Sequence, residues 1–114
     1  MRAGDIVRVD FGVPEGSEPG FSRPAIIVTA DLVLSMNPRT IHVVPLTSNV
    51  TRRLPTELVI EASGLEFDSV AQGHLCAVVS TSRISDDDAA SRANVGLLQL
   101  SKIRQVVADL LDLP

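Results

Sequence analysis

The chain lacks tryptophan and tyrosine, and its only aromatic residues are three phenylalanines. A single cysteine, Cys76, excludes an internal disulfide and a zinc site built from several cysteines. No apolar run approaches the roughly 20 residues that span a membrane. The first residues, MRAGDIVRVD, contain no apolar signal segment. We therefore expect a cytoplasmic protein that does not enter a membrane.

The chain also lacks an excess of positive charge. Lys and Arg number 10 against 14 Asp and Glu, which gives a net charge of −4 and a pI of about 5.0. A protein of this charge does not bind nucleic acid through a general basic field, but its net charge does not exclude binding through a local basic groove. The arginines that we expect to supply such a groove are Arg23, Arg39, Arg52, Arg53 and Arg83.

Aliphatic residues are what the chain has in quantity. Hydrophobic residues make up 45% of 114 residues, which predicts one domain, residues 1–114, with a single core. Because aromatic residues are so few, this core must consist of Val, Ile and Leu. Branching at Cβ favours strands, since such side chains pack well on a pleated surface.

Hydrophobic periodicity predicts a mainly β fold. Strands are expected at 5–11, 24–30, 40–46, 56–60, 68–74 and 76–82. The segments 12–22 and 47–55 are predicted loops, and Gly73 suggests a bulge or bend.

Helices are expected at three places. Asp31 is predicted to cap a short turn through Leu34, and Ser85 with Asp86–Asp88 to begin a helix. Residues 97–111 have the spacing of an amphipathic closing helix. Together, the strands and helices predict a small curled antiparallel sheet or barrel with a C-terminal helix.

Five short motifs occur in a fixed order along the chain: GDIVRVDFG, G-S-E-x-x-x-x-RPAIIV, VVPLTSN, DSV and TSRI. This series resembles the MazF/PemK family of toxin–antitoxin ribonucleases over nearly the whole chain. The resemblance implies an SH3-like small barrel of the CcdB/MazF type, a homodimer, and sequence-specific cleavage of single-stranded RNA. It also implies inhibition by a cognate MazE-like antitoxin, whose acidic C-terminal tail wraps the dimer.

RNA carries its own nucleophile, the 2′-OH beside the scissile phosphate. An enzyme that uses it needs no metal, cofactor or protein nucleophile; it must hold the phosphate, offset the developing charge and help two protons to move. The expected products are a 2′,3′-cyclic phosphate and a 5′-OH. A zinc site from His74 and Cys76 would need two more ligands, which the chain does not offer, so no metal site is predicted.

By resemblance, Arg23 and Thr47 belong to the catalytic site. The planar guanidinium of Arg23 suits a bidentate contact with phosphate. Because arginine stays protonated at ordinary pH, we expect it to stabilise the charge of the phosphate and not to transfer a proton. The alternative is an arginine paired with Glu18. Thr47 is expected to bond the phosphoryl oxygens, with Ser48 and Asn49 as further donors; the alternative is a turn in which these residues bond their own backbone.

His74 is the third catalytic candidate, and it departs from the family pattern. This position is commonly Asp in the family, and Gln72 stands where one branch has Arg. Histidine titrates near neutrality and can act as general acid or base. A structural histidine at a strand end is the alternative, and His42, in mid-strand, is interpreted as structural.

Several further residues are expected to contact RNA. Glu18 matches the acid of the family's G-S-E segment and is predicted to orient Arg23 or bond a base edge, or else to be a solvated loop acid. Phe21 offers a surface for base stacking, with packing onto a dimer partner as the alternative. Arg52 and Arg53 are expected to line the groove, and Gln72 to bind substrate.

Two rival functions share the predicted fold. CcdB-type DNA gyrase poisons bind a protein and cut nothing, but they rely on a Trp-containing C-terminus, whereas this chain has no Trp and ends LLDLP. A catalytically inactive binding module of the same fold is the other, and the altered 72–77 segment motivates it.

Overall fold

The computed structural model describes residues 1–49, 54–60, 69–85 and 93–114. Two of the sequence predictions fall outside these ranges. They are the placement of Arg52 and Arg53 in the groove and the helix expected at Asp86–Asp88.

Six short strands form one antiparallel sheet in the described part of the chain. They are β1 (Ile6–Asp10), β2 (Ser22–Ile27), β3 (Thr40–Thr47), β4 (Glu57–Ile60), β5 (Ser69–Gln72) and β6 (Ala77–Ser80). The sheet order is β1-β2-β3-β5-β4, and β6 also pairs with β3. A bridge from Val9 to Ile84, just beyond β6, curls the sheet back onto β1. The mainly β prediction with a C-terminal helix is confirmed.

The long strand β3 organises the sheet, because its two halves have different neighbours. Its first half pairs with β6, and its last two residues, Leu46 and Thr47, pair with Ala71 and Val70 of β5. Along its other edge it pairs with β2, up to the rung Ala25↔Pro45. The end of β3 therefore lies where β2 and β5 flank it, and this end carries Thr47.

Two hydrophobic clusters lie on opposite faces of the sheet, because successive side chains of a strand alternate between its faces. One cluster, which includes Val7, Val9, Ile41 and Val43, fills the curl of the sheet. The other includes Val44, Leu46 and residues of the C-terminal helix. Aliphatic residues fill both clusters, as the composition predicts, but the single core expected from the chain length was wrong, because the sheet separates the buried residues into two clusters.

The C-terminal helix α2 (Gly96–Leu110) covers the second cluster with its buried residues Leu100 and Ile103. Its Arg104 fixes the helix to the end of β2, where Nε donates to the carbonyl of Val28 at 3.1 Å. The predicted closing helix, 97–111, is confirmed with ends shifted by one residue. Among the described residues, no helix is both long and apolar enough to cross a membrane.

Two local predictions were wrong in detail. Asp31 does not cap the short helix α1 (Asp31–Leu34); it is the first helical residue, and Ala30 holds the cap position. Its carboxylate instead accepts the N–H of Ala3 at 2.8 Å, a contact 28 residues away in sequence. The predicted strand 68–74 ends at Gln72, because Gly73 begins a 3₁₀ turn (Gly73–Leu75) that leaves the sheet.

Candidate active site

Arg23 is held in the second position of β2, directly opposite Val9 of β1. It is half-buried, and within the described part of the chain its guanidinium makes no hydrogen bond or ion pair. The predicted alternative, an ion pair with Glu18, is not formed. Glu18 instead accepts the N–H of Glu15 at 3.0 Å through its own carboxylate. With no partner among the described residues, the guanidinium N–H groups of Arg23 are available to a ligand.

Thr47 lies at the same end of the sheet as Arg23. The last pair of the β2–β3 register is Ala25↔Pro45. Arg23 lies two residues before Ala25 and Thr47 two residues after Pro45, so both lie beyond this pair on the same side of it. Since side chains repeat every two residues, Arg23 and Thr47 point to the same face. The structure thus brings together the two residues that the sequence placed at the centre of the site.

The hydroxyl of Thr47 accepts the N–H of Asn49 at 3.2 Å. The turn that the sequence analysis gave as the alternative is therefore present. It does not exclude a role in binding, because a hydroxyl that accepts one hydrogen bond still has its own hydrogen to donate. Ser48 is exposed and immediately follows Thr47.

Gln72 joins this face from the next strand. Val70 is opposite Thr47, and Gln72 lies two residues further along β5, so it points to the same face and is the diagonal neighbour of Thr47. Its Oε1 is buried and has no hydrogen-bond partner within the described structure. A buried acceptor without a hydrogen bond lowers the free energy of unfolding. A ligand that donates a hydrogen bond to this oxygen would remove that cost. We call Arg23, Thr47 and Gln72 the polar face.

His74 lies just outside the sheet. It is in the 3₁₀ turn that packs against α2, and its Nδ1 forms a hydrogen bond with Thr56 Oγ1 at 3.0 Å. It follows Gln72 of the polar face by two residues. The bond to Thr56 gives His74 a structural role in the turn, and its part in proton transfer stays a prediction.

Cys76 and His42 do not form a metal centre. Within the described ranges, no three His, Cys, Asp or Glu side chains are grouped closely enough to hold a metal ion. Burial raises the pKa of the Cys76 thiol, so the thiolate needed for nucleophilic attack or metal binding is disfavoured. The side chain of His42 is exposed, and its backbone N–H donates to Thr29 Oγ1.

The remaining predicted cations, Arg83 and Arg39, make different contacts. Arg83 bonds the carbonyl of Asp10 at 3.2 Å, next to the β1–β2 loop and on the Arg23 side. Arg39 precedes the first residue of β3, at the opposite end from Thr47. The structure therefore joins Arg83, and not Arg39, to the neighbourhood of the site.

Two charged residues close to the site in the sheet were not predicted from the sequence. Arg8 reaches the carbonyl of Ser22, beside Arg23, at 3.5 Å, although its place next to Val9, the partner of Arg23, puts its side chain on the opposite face of the sheet. Glu57 is directly opposite Gln72. Strand alternation predicts that Arg8 faces away from the core, but only strand pairing shows which residues are its neighbours.

Comparison with known proteins identifies the family of the chain. Residues 2–113 match the family described as "PemK-like, MazF-like toxin of type II toxin-antitoxin system". The chain belongs to this toxin family. The resemblance seen in the sequence motifs is thereby confirmed, and the family covers every element described above.

Individual relatives show the same relationship. The chain is 34% identical to the Mycobacterium tuberculosis protein "Endoribonuclease MazF9" over 90 residues, which are 74% of this chain and 76% of that one. Its fold matches MazF of Deinococcus radiodurans with a TM-score of 0.79 at 22% identity, over 99% and 97% of the two chains. It also matches a mycobacterial endoribonuclease in complex with its cognate antitoxin, with a TM-score of 0.73 at 19% identity, over 100% and 97%.

Proposed function

We propose that this protein is the toxin of a type II toxin–antitoxin system and a sequence-specific, metal-independent endoribonuclease that cleaves single-stranded RNA. The observation that carries the proposal is the guanidinium of Arg23, which has no partner among the described residues and lies at the same end and on the same face of the sheet as the Thr47 hydroxyl. The relative named as an endoribonuclease and the family match over residues 2–113 support it. Residues 1–114 are proposed to form one toxin domain.

In the proposed reaction, the 2′-oxygen forms a bond to phosphorus while the bond from phosphorus to the 5′-oxygen breaks. The proton of the 2′-OH goes to a base, and the leaving 5′-oxygen receives a proton. The products are a 2′,3′-cyclic phosphate and a 5′-OH. Negative charge accumulates on the non-bridging oxygens, so donors already in place there lower the barrier.

Arg23 and Thr47 are the proposed donors to those oxygens. Arg23 grips the phosphate through two N–H groups, a geometry that a planar guanidinium provides and an ammonium does not. Thr47 donates its hydroxyl hydrogen, because the N–H of Asn49 already occupies a lone pair of its oxygen. Further RNA contacts are proposed for Glu18, Ser48, Asn49, Arg52, Arg53 and Gln72.

His74 is the proposed proton carrier, and a pH–rate profile tests it. Its Nδ1 is bonded to Thr56, which leaves Nε2 for exchange. The profile of the parent enzyme should contain a bend that His74→Ala removes. Thr56→Val, which breaks only the bond to Nδ1, is the control for a purely structural role. If the bend is identical in the parent and in His74→Ala, His74 carries no proton.

The proposed partners are the substrate RNA, a second copy of the chain and a cognate MazE-like antitoxin that inhibits through its C-terminal tail. Support comes from structural neighbours solved as a MazE–MazF complex and as an endoribonuclease with its cognate antitoxin. A cytoplasmic location is proposed because cellular RNA is the substrate.

Cleavage of a mixed-sequence RNA by the purified protein in EDTA tests the proposal. We expect fragments whose 5′ ends accept phosphate from polynucleotide kinase without prior phosphatase treatment, as a 5′-OH requires. Loss of cleavage in EDTA would contradict only the metal-independent mechanism. An inactive protein at stoichiometric concentration would contradict the nuclease, and a gyrase assay would then distinguish a CcdB-like poison from an inactive binding module.

A further inference from the structure

Phe21 combines two features that conflict with each other. Its ring is 65% exposed, and its backbone is in the left-handed region, with φ at +57°. That region is unfavourable for any residue with a Cβ and is an outlier for a bulky one, whereas glycine adopts it freely. Strained residues of this kind concentrate at sites of ligand contact. An exposed phenylalanine at such a position contributes little to the core.

The surrounding loop holds Phe21 in place from both sides. Its N–H donates to the carbonyl of Gly12 at 2.7 Å, and its carbonyl accepts the N–H of Phe11 at 2.9 Å. Directly before it, Pro14 packs so closely on Gly20 that a Cβ there would lie 2.4 Å from the proline ring. The ring is therefore presented from a fixed backbone, which lowers the entropy lost when a ligand binds.

The position of Phe21 connects it to the proposed site. It lies two residues before Arg23 and next to the rung Asp10↔Ser22, the last of the β1–β2 pairing. Arg83 and Arg8 each donate to a backbone carbonyl of that same rung, to Asp10 and Ser22 respectively.

The charges at this end of the hairpin are equal in number but differ in their contacts, since Arg8, Arg23 and Arg83 stand against Asp10, Glu15 and Glu18. The carboxylates of Asp10 and Glu18 accept N–H groups of the loop, at 2.8 and 3.0 Å. Arg23 has no such partner within the described structure. An exposed ring two residues before Arg23 suits a ligand that carries both a flat ring and a negative charge.

We propose that Phe21 is a stacking platform for one base of the RNA, beside the phosphate that Arg23 holds. This inference rests on the proposed ribonuclease function. Every base has a π-face, so stacking on an aromatic ring binds single strands whatever their sequence. RNA is the occupant that also supplies a phosphate to the N–H groups of Arg23, and a second copy of this chain is the alternative that the sedimentation measurement below tests.

Four variants separate stacking from packing: Phe21→Ala, Phe21→Leu, Phe21→Tyr and Phe21→Gly. The readouts are KM and kcat on a transcript whose cleavage site has been mapped, and Kd for the same sequence with 2′-O-methyl groups, which cannot be cut. Ala and Leu should raise KM and Kd by about 5- to 100-fold, and Tyr should stay within about twofold of the parent. Leu keeps apolar bulk without a π-face, so a difference between Leu and Tyr is the signature of stacking.

Melting temperatures test the strain independently. Ala is usually the more stabilising of Ala and Gly, because Gly is freer in the unfolded chain. At position 21 we expect the reverse, with Phe21→Gly melting a few degrees above Phe21→Ala, because only Gly relieves the left-handed backbone. An Ala variant at least as stable as the Gly variant would contradict the premise of strain.

The outcomes also separate this inference from the proposed function. If the parent cleaves RNA and the Ala, Leu and Gly variants keep its KM and Kd, the stacking role is wrong and the nuclease stands. If those variants instead weaken self-association in sedimentation at unchanged Kd, Phe21 is a protein contact and the inference is overturned. If the parent cuts nothing, the proposed function fails, and Kd for the methylated RNA still decides whether Phe21 stacks.

Discussion

Replacing Arg23 by alanine should abolish RNA cleavage while the fold remains intact. Preorganised donors to a developing oxyanion are worth about 100- to 1,000-fold in kcat each, and a bidentate arginine supplies two. The melting temperature should stay close to the parent's, because the guanidinium makes no hydrogen bond or ion pair within the described structure. The measurement is single-turnover cleavage of a mapped site, together with thermal unfolding.

Two further variants make this result interpretable. Arg23→Lys keeps the charge and loses the planar fork, so it should recover only part of the lost rate. Lys102→Ala removes one positive charge from the exposed surface of α2, which covers the opposite face of the sheet, and should cleave like the parent. A melting temperature that falls steeply in Arg23→Ala, or full recovery by Lys, would contradict the phosphate clamp.

Replacing Gly73 by alanine should destabilise the protein by about 1–3 kcal/mol, the usual range for overpacking an interior contact. A Cβ at this position would lie 2.6 Å from Cγ1 of Val106 on α2 and 3.0 Å from the carbonyl oxygen of Thr56. Val106 is β-branched and therefore stiff, and the carbonyl belongs to the backbone, so neither yields easily. Urea unfolding of parent and variant measures the difference.

The double variant Gly73→Ala with Val106→Ala tests the named contact. It should be more stable than the sum of the two single changes predicts, since the second substitution removes the closer of the two clashes. Rescue should be partial, because the carbonyl of Thr56 remains. Additive effects would mean that the turn and the helix do not meet as described.

The turn that begins at Gly73 also lies beside the proposed site. Gly73 separates Gln72, on the polar face, from His74, in the turn beside α2. A displaced turn should therefore change cleavage as well as stability. Comparing cleavage by Gly73→Ala and by the rescued double variant, at a temperature where both are folded, shows how much the site depends on the turn.

The sequence by itself determined which side of β1 and of α2 is buried. Alternation in 5–11 puts Val7 and Val9 on one face, helical spacing in 97–111 puts Leu100 and Ile103 on one face, and all four are buried. These assignments depend on the period of a segment, which is a local property. The assignment of Arg23 and Thr47 to one site also came from the sequence, because the order of the motifs indicates the family.

Tertiary structure decided everything that depends on which segments are neighbours. Asp31 bonds Ala3 and caps no helix, Glu18 bonds its own loop, and His74 bonds Thr56. In each case the side chain had several partners of suitable chemistry, and no local pattern chooses among them. For His74 strand register makes that choice, because the rung Glu57↔Gln72 brings Thr56 beside the turn; for Asp31 the packing of α1 against the N-terminal segment makes it, and for Glu18 the conformation of its own loop. The orphaned oxygen of Gln72 and the strained backbone of Phe21 follow from the same cause: both are properties of a position in the folded chain, and composition and periodicity do not encode them.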